Sequence, residues 1–482
     1  MKNRRNPLFW LLVIAFVVRG AAVWISTDSF NADPDQYRAL AKNLQKEGVY
    51  GTGTVPTAFR PPLSPLVLRS AVVLTRSSDR PTAVDDEGAS GGGFSLLLTE
   101  NAAIALLHWG LGILTVLLVY RLALLLTLPP RWAFGAGLLT VVDPILLQQS
   151  RLVMTETLAA FLAVLILYLF VFSMRIKNVQ RKNFAMGGLG GLLGLAALCR
   201  PTFLVFALLA FFVLIHYYWQ KKVAPSVHGF FLAGVILVLI PWGLRNHVIF
   251  DKFIVTTTHG GYTLLLANNP FLYERNLHPG PFDGPWDAES FHQFWDKKLA
   301  NDMEEYDVEP GSVQAELFQD ELAKRVAQQT MKDDPDDCLF ATLIRIGSLW
   351  QWLPYQTNPK ESAPAALFRW GIGAFYAAEI LIAFFGMGYI LSPMFSRKRR
   401  HRIMSPYWSS WSWPLLLILA VQMVHLLYWT NMRMRAPFMT VISIMAVVGL
   451  RVLIRFAKKD PTPVIIGGTS AMNETESMVD KI

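Results

Sequence analysis

Two aspartates, Asp33 and Asp35, follow directly on the first long apolar run of this 482-residue chain, and Tyr37 comes two residues after them. A carboxylate against a membrane surface can take a proton from a reacting hydroxyl, or it can cap a helix. Locally the cap is favoured, because Asp33 precedes Pro34, which suits an N-cap followed by proline at the first helical position. Tyr37, Leu40, Ala41 and Leu44 then recur at helical spacing, and Gly48 is a natural terminator. The segment 34–47 is therefore expected to be an amphipathic helix lying on the outer surface of a membrane.

Arginines form the other half of the chemistry. Arg60 stands before Pro61 and Pro62, which holds it in extended backbone. There its guanidinium can bind a phosphate in bidentate fashion or snorkel to the interface, and the two readings weigh evenly. Arg200 precedes Pro201, Arg245 ends an apolar run, and Arg433 and Arg435 share the turn "NMRMR". Glu156, after Thr155, suits the positive end of a helix, yet a glutamate at that depth is costly unless it faces a partner or a polar cavity. "TTTHGGYTLLLANNP" adds His259, a Gly260–Gly261 pair that permits close backbone approach, and Asn268 and Asn269, which suit sugar hydroxyls or turns.

The elements that must position these groups are membrane spans. The chain is 53% hydrophobic and 16% charged, against about 25% charged in soluble proteins. Its apolar runs are continuous, which argues for helices and against a barrel. After the first run, taken as an uncleaved span, further spans are expected near 95–126, 132–149, 152–174, 184–199, 202–219, 228–245, 366–395, 412–430 and 436–457, about ten in all. The basic clusters at 175–182, 220–222, 396–402 and 455–459 fall on the N-terminal side of that topology, as the positive-inside rule requires. The net charge of +9 thus reports orientation and not nucleic-acid binding. Cys199 and Cys338 imply neither a disulfide framework nor a thiolate metal site.

Four parts follow: a transmembrane module 1–245 with an outward loop 27–93, an extracytoplasmic loop domain 246–365, transmembrane helices 366–457, and a flexible cytoplasmic tail 458–482. Residues 77–93 read as a flexible insertion, 286–336 as short helices, and 340–354 as an interfacial or re-entrant helix. The carboxylates and arginines gather on the outward face, each beside the end of a different helix. Such a mixture can bind a lipid phosphate as leaving group and activate a hydroxyl.

The order of motifs resembles bacterial GT-C membrane glycosyltransferases related to protein O-mannosyltransferases and lipid A aminoarabinose transferases. The resembling pieces are "DPDQYRALAKNLQKEGVYG", "FRPPLSPL", "LVMTETL", "LAALCRPTFL", "PWGLRNHVIFDKFIVTTTHGGYTLLLANNP" and "RMRAPF". The resemblance implies an all-α polytopic GT-C-like fold with amphipathic outer-surface helices and a small, mainly helical extracytoplasmic region. It implies Asp33 as the catalytic carboxylate, with Asp35 as second choice, since Asp33 and Tyr37 fit the family's Asp-x-x-x-Tyr pattern. Glu156 matches its Thr-Glu motif and Arg200 its Arg-Pro motif. Tyr37, Arg60, Arg200, Arg245, His259, Asn268, Asn269, Arg433 and Arg435 are the expected substrate contacts.

The expected reaction moves a sugar from a polyprenyl-phosphate carrier to a hydroxyl of a lipid, glycan or protein, with inversion, at the extracytoplasmic face of a plasma (inner) membrane. A divalent metal is possible but not indicated, since no closely spaced ligand set is present. The rival is a transporter or flippase for a lipid-linked or anionic substrate, which repeat-related halves would support; none are evident. A catalytically dead, glycosyltransferase-like assembly protein is the third reading.

Overall fold

The computed structural model describes residues 6–73, 99–277, 288–356, 358, 360–395 and 406–459. The expected insertion 77–93, the basic cluster 396–402 and most of the tail lie outside them.

The first half of the chain opens with α1 (Pro7–Trp24) and a 3-10 turn (Thr27–Asn31), then α2 (Tyr37–Lys46). A two-residue hairpin, β1 (Gly51–Thr52) with β2 (Val55–Pro56), leads to α3 (Leu63–Val73). The bundle continues with α4 (Glu100–Leu125), α5 (Pro130–Val142), α6 (Pro144–Gln149), α7 (Glu156–Met174), α8 (Val179–Ala197), α9 (Thr202–Trp219) and α10 (Pro225–Phe250). The expected span 132–149 is broken in two, because Asp143 accepts the N–H of Leu146 and starts α6 at Pro144.

A smaller helical region follows: α11 (Gly260–Ala267), α12 (Pro270–Leu277), α13 (Ala288–Glu305), α14 (Val313–Asp333) and α15 (Pro335–Leu349). Its own core joins Leu264 and Leu265 to Phe291, Trp295, Leu322, Ala323 and Ala327. The bundle then closes with α16 (Ala363–Phe395), α17 (Pro406–Val424), a 3-10 turn (Met432–Arg435) and α18 (Ala436–Ala457).

Seven described helices are long and apolar enough to cross a membrane: α1, α4, α7, α9, α10, α16 and α18 with its preceding turn. The other three expected spans are helices in the expected places with less apolar length. They are α5 with 13 residues, α8 with its polar opening "VQRKN", and α17, apolar over Ser410–Val424. The chain is an all-α, multi-pass membrane protein. Helix α18 is its centre: 83% of its best apolar window is buried inside the bundle, against 28% for α1.

Two details place the site. Helix α2 starts at Tyr37, three residues later than the sequence suggests, behind Gln36 in a left-handed conformation (φ 60). The Asp33 carboxylate still caps it, from further back, by accepting the N–H of Ala39 at 2.9 Å. Helix α2 buries Tyr37, Leu40 and Ala41, while Lys42 pairs with Glu100 at 2.8 Å and Arg38 donates to Asn101 at 2.7 Å. The helix is thereby pinned to the start of α4, and Gly48 (φ 71) ends the excursion.

Candidate active site

The approach to α3 carries Arg60 to the centre of the site. The bend at Phe59–Arg60 is held by Tyr50, whose hydroxyl donates to the carbonyl of Arg60 at 2.9 Å and lies 3.2 Å from that of Pro61. Beyond the prolines, Leu63 donates to the carbonyl of Leu198 at 2.9 Å, and Ser64 Oγ meets Cys199 Sγ at 3.4 Å. These contacts dock the Arg60 segment onto the α8–α9 junction, where Arg200 stands.

Arg60 pairs with Asp35, Nη2 to Oδ1 at 2.7 Å, with both side chains mostly buried. Its guanidinium also lies 5.8 Å from the Tyr37 ring and 5.0 Å from the Phe59 ring. Its Nε is buried and unpartnered. Asp33 is not in this pair. One oxygen, Oδ2, serves the cap, and Oδ1 is buried with no donor.

The second cluster forms at the start of α7. Thr155 makes no side-chain cap, and Glu156, 2% exposed, turns inward instead. Its Oε1 lies 3.3 Å from Arg200 Nη1 and 3.7 Å from Arg433 Nε. Arg200 Nη2 rests 2.9 Å from Met434 Sδ. Glu156 Oε2, Arg200 Nη1 and Arg433 Nε are buried without hydrogen-bond partners. Tyr37 lies between the two clusters: burial raises its phenol well above the usual value, the Arg60 charge opposes that, and Asp35 and Glu156 reinforce it.

His259 joins the rim at the N-cap position of α11, its ring 4.3 Å from the Phe59 ring and Nδ1 buried without a partner. Burial, and then the nearby Arg60 charge, push its imidazole down to about 3, so it is neutral at ordinary pH.

Other expected contacts are used for architecture. Arg245 donates to the carbonyls of Thr57 at 2.7 Å and Tyr50 at 3.0 Å and lies 4.8 Å from the Trp242 ring, so it clamps the hairpin. Asn268 and Asn269 are fully buried and capping: Asn268 donates to Leu264 and Leu427 carbonyls, and Asn269 donates to Leu265 and accepts from the N–H of Leu272. Neither has a face left for a sugar. Arg435 is 0% exposed, donates to the carbonyl of Leu349 at 3.2 Å, and stacks 4.4 Å from the Tyr376 ring. Two residues apart in a 3-10 turn point to different sides, so Arg433 faces Glu156 while Arg435 faces the bundle.

Two groups escape sequence reading. Glu316 of α14 accepts from the Ala58 N–H at 2.9 Å and from the hydroxyls of Thr57 and Thr258, strapping the small helical region to the Arg60 segment. Nothing in the local sequence distinguishes it from other helical glutamates. Beneath the site, Arg19, Asp143, Glu379 and Arg435 form a buried layer of ionisable groups, with Tyr376 donating to Asp143 at 3.2 Å and Ser443 donating to Glu379 at 2.9 Å. The expectation that ionisable groups gather only at the face is corrected by that layer; Asp143 lies inside an apolar run, where hydropathy passes over it. Among the described residues no three His, Cys, Asp or Glu side chains gather as a metal seat.

The chain is similar in structure to the oligosaccharyltransferase of Archaeoglobus fulgidus tethered with an acceptor peptide containing the NVT sequon (TM-score 0.49, 16% identity, covering 94% of this chain and 50% of that one). It is also similar to the archaeal oligosaccharyltransferase AglB from Archaeoglobus fulgidus in complex with an inhibitory peptide and a dolichol-phosphate (TM-score 0.48, 16% identity, 99% and 55%). A third is ArnT from Cupriavidus metallidurans bound to undecaprenyl phosphate (TM-score 0.40, 12% identity, 93% and 78%). The chain spans about half the length of the archaeal proteins. No curated protein matches it. Residues 87–255 match the family model of dolichyl-phosphate-mannose-protein mannosyltransferases, one of the two groups to which the sequence motifs relate the chain.

Proposed function

We propose that the chain is a glycosyltransferase that moves a sugar from a polyprenyl-phosphate-linked donor to an acceptor hydroxyl, with inversion, at the extracytoplasmic face of a plasma (inner) membrane. The observation that carries this is the meeting of two acid–arginine clusters around Tyr37, each with buried polar atoms lacking partners. The family match over 87–255 points the same way.

In this reading Arg200 and Arg433, held by Glu156, and Arg60, held by Asp35, take the donor phosphate. Spread over three guanidinium groups, the charge that grows on the leaving phosphate is stabilised where water is scarce. Asp33 Oδ1 accepts the proton of the acceptor hydroxyl, whose oxygen attacks the anomeric carbon as the bond to the lipid phosphate breaks. Because Asp33 caps α2 through Oδ2, its position is fixed, so Oδ1 orients the hydroxyl as well as taking its proton. Asp35, already bound to Arg60, is the second candidate. The part of the chain at 246–365 is proposed to select the acceptor, because its Glu316 strap holds the Arg60 segment.

Purified protein supplied with a radiolabelled polyprenyl-phosphate sugar and a membrane extract tests the reading. Transfer by the native chain and its loss in Asp33→Asn are expected. Absence of transfer across a panel of donors, with uptake into vesicles instead, would overturn it in favour of a transporter.

A further inference from the structure

A second concave site lies at the far end of the bundle. Helix α8 leads away from Arg200 for 19 residues, about 28 Å of helix. Helix α10 runs parallel to it, because α9 returns between them. The two are in backbone contact: a Cβ on Gly190 would collide with the Phe231 carbonyl oxygen, and one on Gly234 with that of Gly187. Ser226 donates to Asn183 at 3.0 Å, so their first turns are side by side.

Between those first turns and the end of α9 is a cavity of about 370 Å³. Lys177, Lys182, Lys221 and Lys222 line it, together with Tyr218 and apolar residues that include Val179. Among the described residues that line it none is acidic, and the sequence holds no Asp or Glu from 157 to 250. Lys222 is held over the Tyr217 ring at 5.3 Å, and Lys182 Nζ reaches the Met174 carbonyl at 3.4 Å. Four lysine side chains thus line one recess, where the positive ends of α8 and α10 stand beside the negative end of α9.

We propose that this cavity binds the phosphate of an anionic phospholipid from the leaflet at that end of the bundle. The lysines supply the phosphate contacts. A lipid, and not a free phosphate, is the occupant because exposed apolar groups belong to the same helix ends: Val179, which lines the cavity, is 50% exposed, and Trp219 and Phe184, within two residues of lining residues in the chain, are 74% and 75% exposed. Such side chains suit the boundary between headgroups and acyl chains. The site is independent of the reading of the Asp33 end.

The test uses purified full-length chain in zwitterionic phosphatidylcholine bicelles, titrated with phosphatidylglycerol, with thermal unfolding and native mass spectrometry as readouts. Saturable stabilisation with one retained phosphatidylglycerol is expected. Lys182→Gln/Lys221→Gln/Lys222→Gln should raise the half-saturating lipid fraction on the order of 100-fold, about fivefold per lysine. Lys458→Gln/Lys459→Gln, basic residues at the same end but outside the cavity, should change it by less than about threefold. Should the triple variant fail to fold, Lys221→Gln alone should show its roughly fivefold shift. Unchanged half-saturation in the variants, equal stabilisation by phosphatidylcholine alone, or full stabilisation by inorganic phosphate would each overturn the proposal.

Discussion

Asp33 holds the backbone N–H of Ala39 at 2.9 Å through Oδ2, while its Oδ1 is buried without a donor. The two oxygens therefore have separable duties. An asparagine side chain keeps a capping oxygen, so Asp33→Asn should change stability by only a few tenths of a kcal/mol, whereas Asp33→Ala should cost about 1 kcal/mol. Both should lower sugar transfer by about 10²–10⁴. Thermal unfolding beside a transfer assay separates the duties; an active Asp33→Asn removes the carboxylate from the chemistry.

Glu156, 2% exposed, pairs with two arginines, Arg200 and the more exposed Arg433. Removing one member of such a buried set costs about 3–5 kcal/mol, so Glu156→Ala should be poorly stable. Arg200→Lys should keep the charge yet lose the planar fork, and should weaken binding of a polyprenyl phosphate by about tenfold or more. Titration with undecaprenyl phosphate in detergent measures this; native affinity in Arg200→Lys argues against Arg200 as a phosphate ligand.

Arg245 and Asn268 make the opposite prediction. Because Arg245 spends its donors on Thr57 and Tyr50 carbonyls, and Asn268 on Leu264 and Leu427, their alanine variants should lose about 1–3 kcal/mol of stability. Donor affinity of the folded fraction should stay within about threefold of native, below the ~1 kcal/mol that a lost hydrogen bond carries. A larger loss of affinity would restore them as substrate contacts.

Gly261 touches α14 through its backbone, with its N–H donating to Asp320 at 2.6 Å, and an added Cβ would collide with the Asp320 carbonyl oxygen. Gly261→Ala must part α11 from α14 and should cost several kcal/mol, on the order of 3 or more. Limited proteolysis should then cut within 288–333 sooner than in the native chain.

His259 gives a pH signature. Its folded value is pushed down to about 3, first by burial and then by Arg60, against about 6.5 in an unfolded chain. Between those values the unfolded state binds the extra proton, so stability is full above about pH 6.5 and falls as the pH drops toward 3. The midpoint of thermal unfolding should decline from about pH 6.5 to 5, and His259→Gln should flatten that slope. An unchanged slope in the variant would assign the acid sensitivity elsewhere.

By itself the sequence determined the helices, the apolar face of α2, the stop at Gly48 and which segments carry charged groups near helix ends. Those properties follow from periodicity and backbone chemistry within a few residues. It could not say which charge meets which. Local sequence marks Asp33 as a cap but does not say which aspartate meets an arginine; Asp35 takes Arg60, because docking of the Arg60 segment onto the α8–α9 junction sets its direction. Arg433 and Arg435 look alike in "RMR", yet one faces Glu156 and the other the core beside Tyr376. Asn268 and Asn269 suit a sugar or a turn equally well in sequence, and only the folded chain shows their amides spent on caps. Partner choice of that kind depends on contacts between segments distant in the chain, and it is settled by packing, where each buried polar atom must find a donor or acceptor from another element.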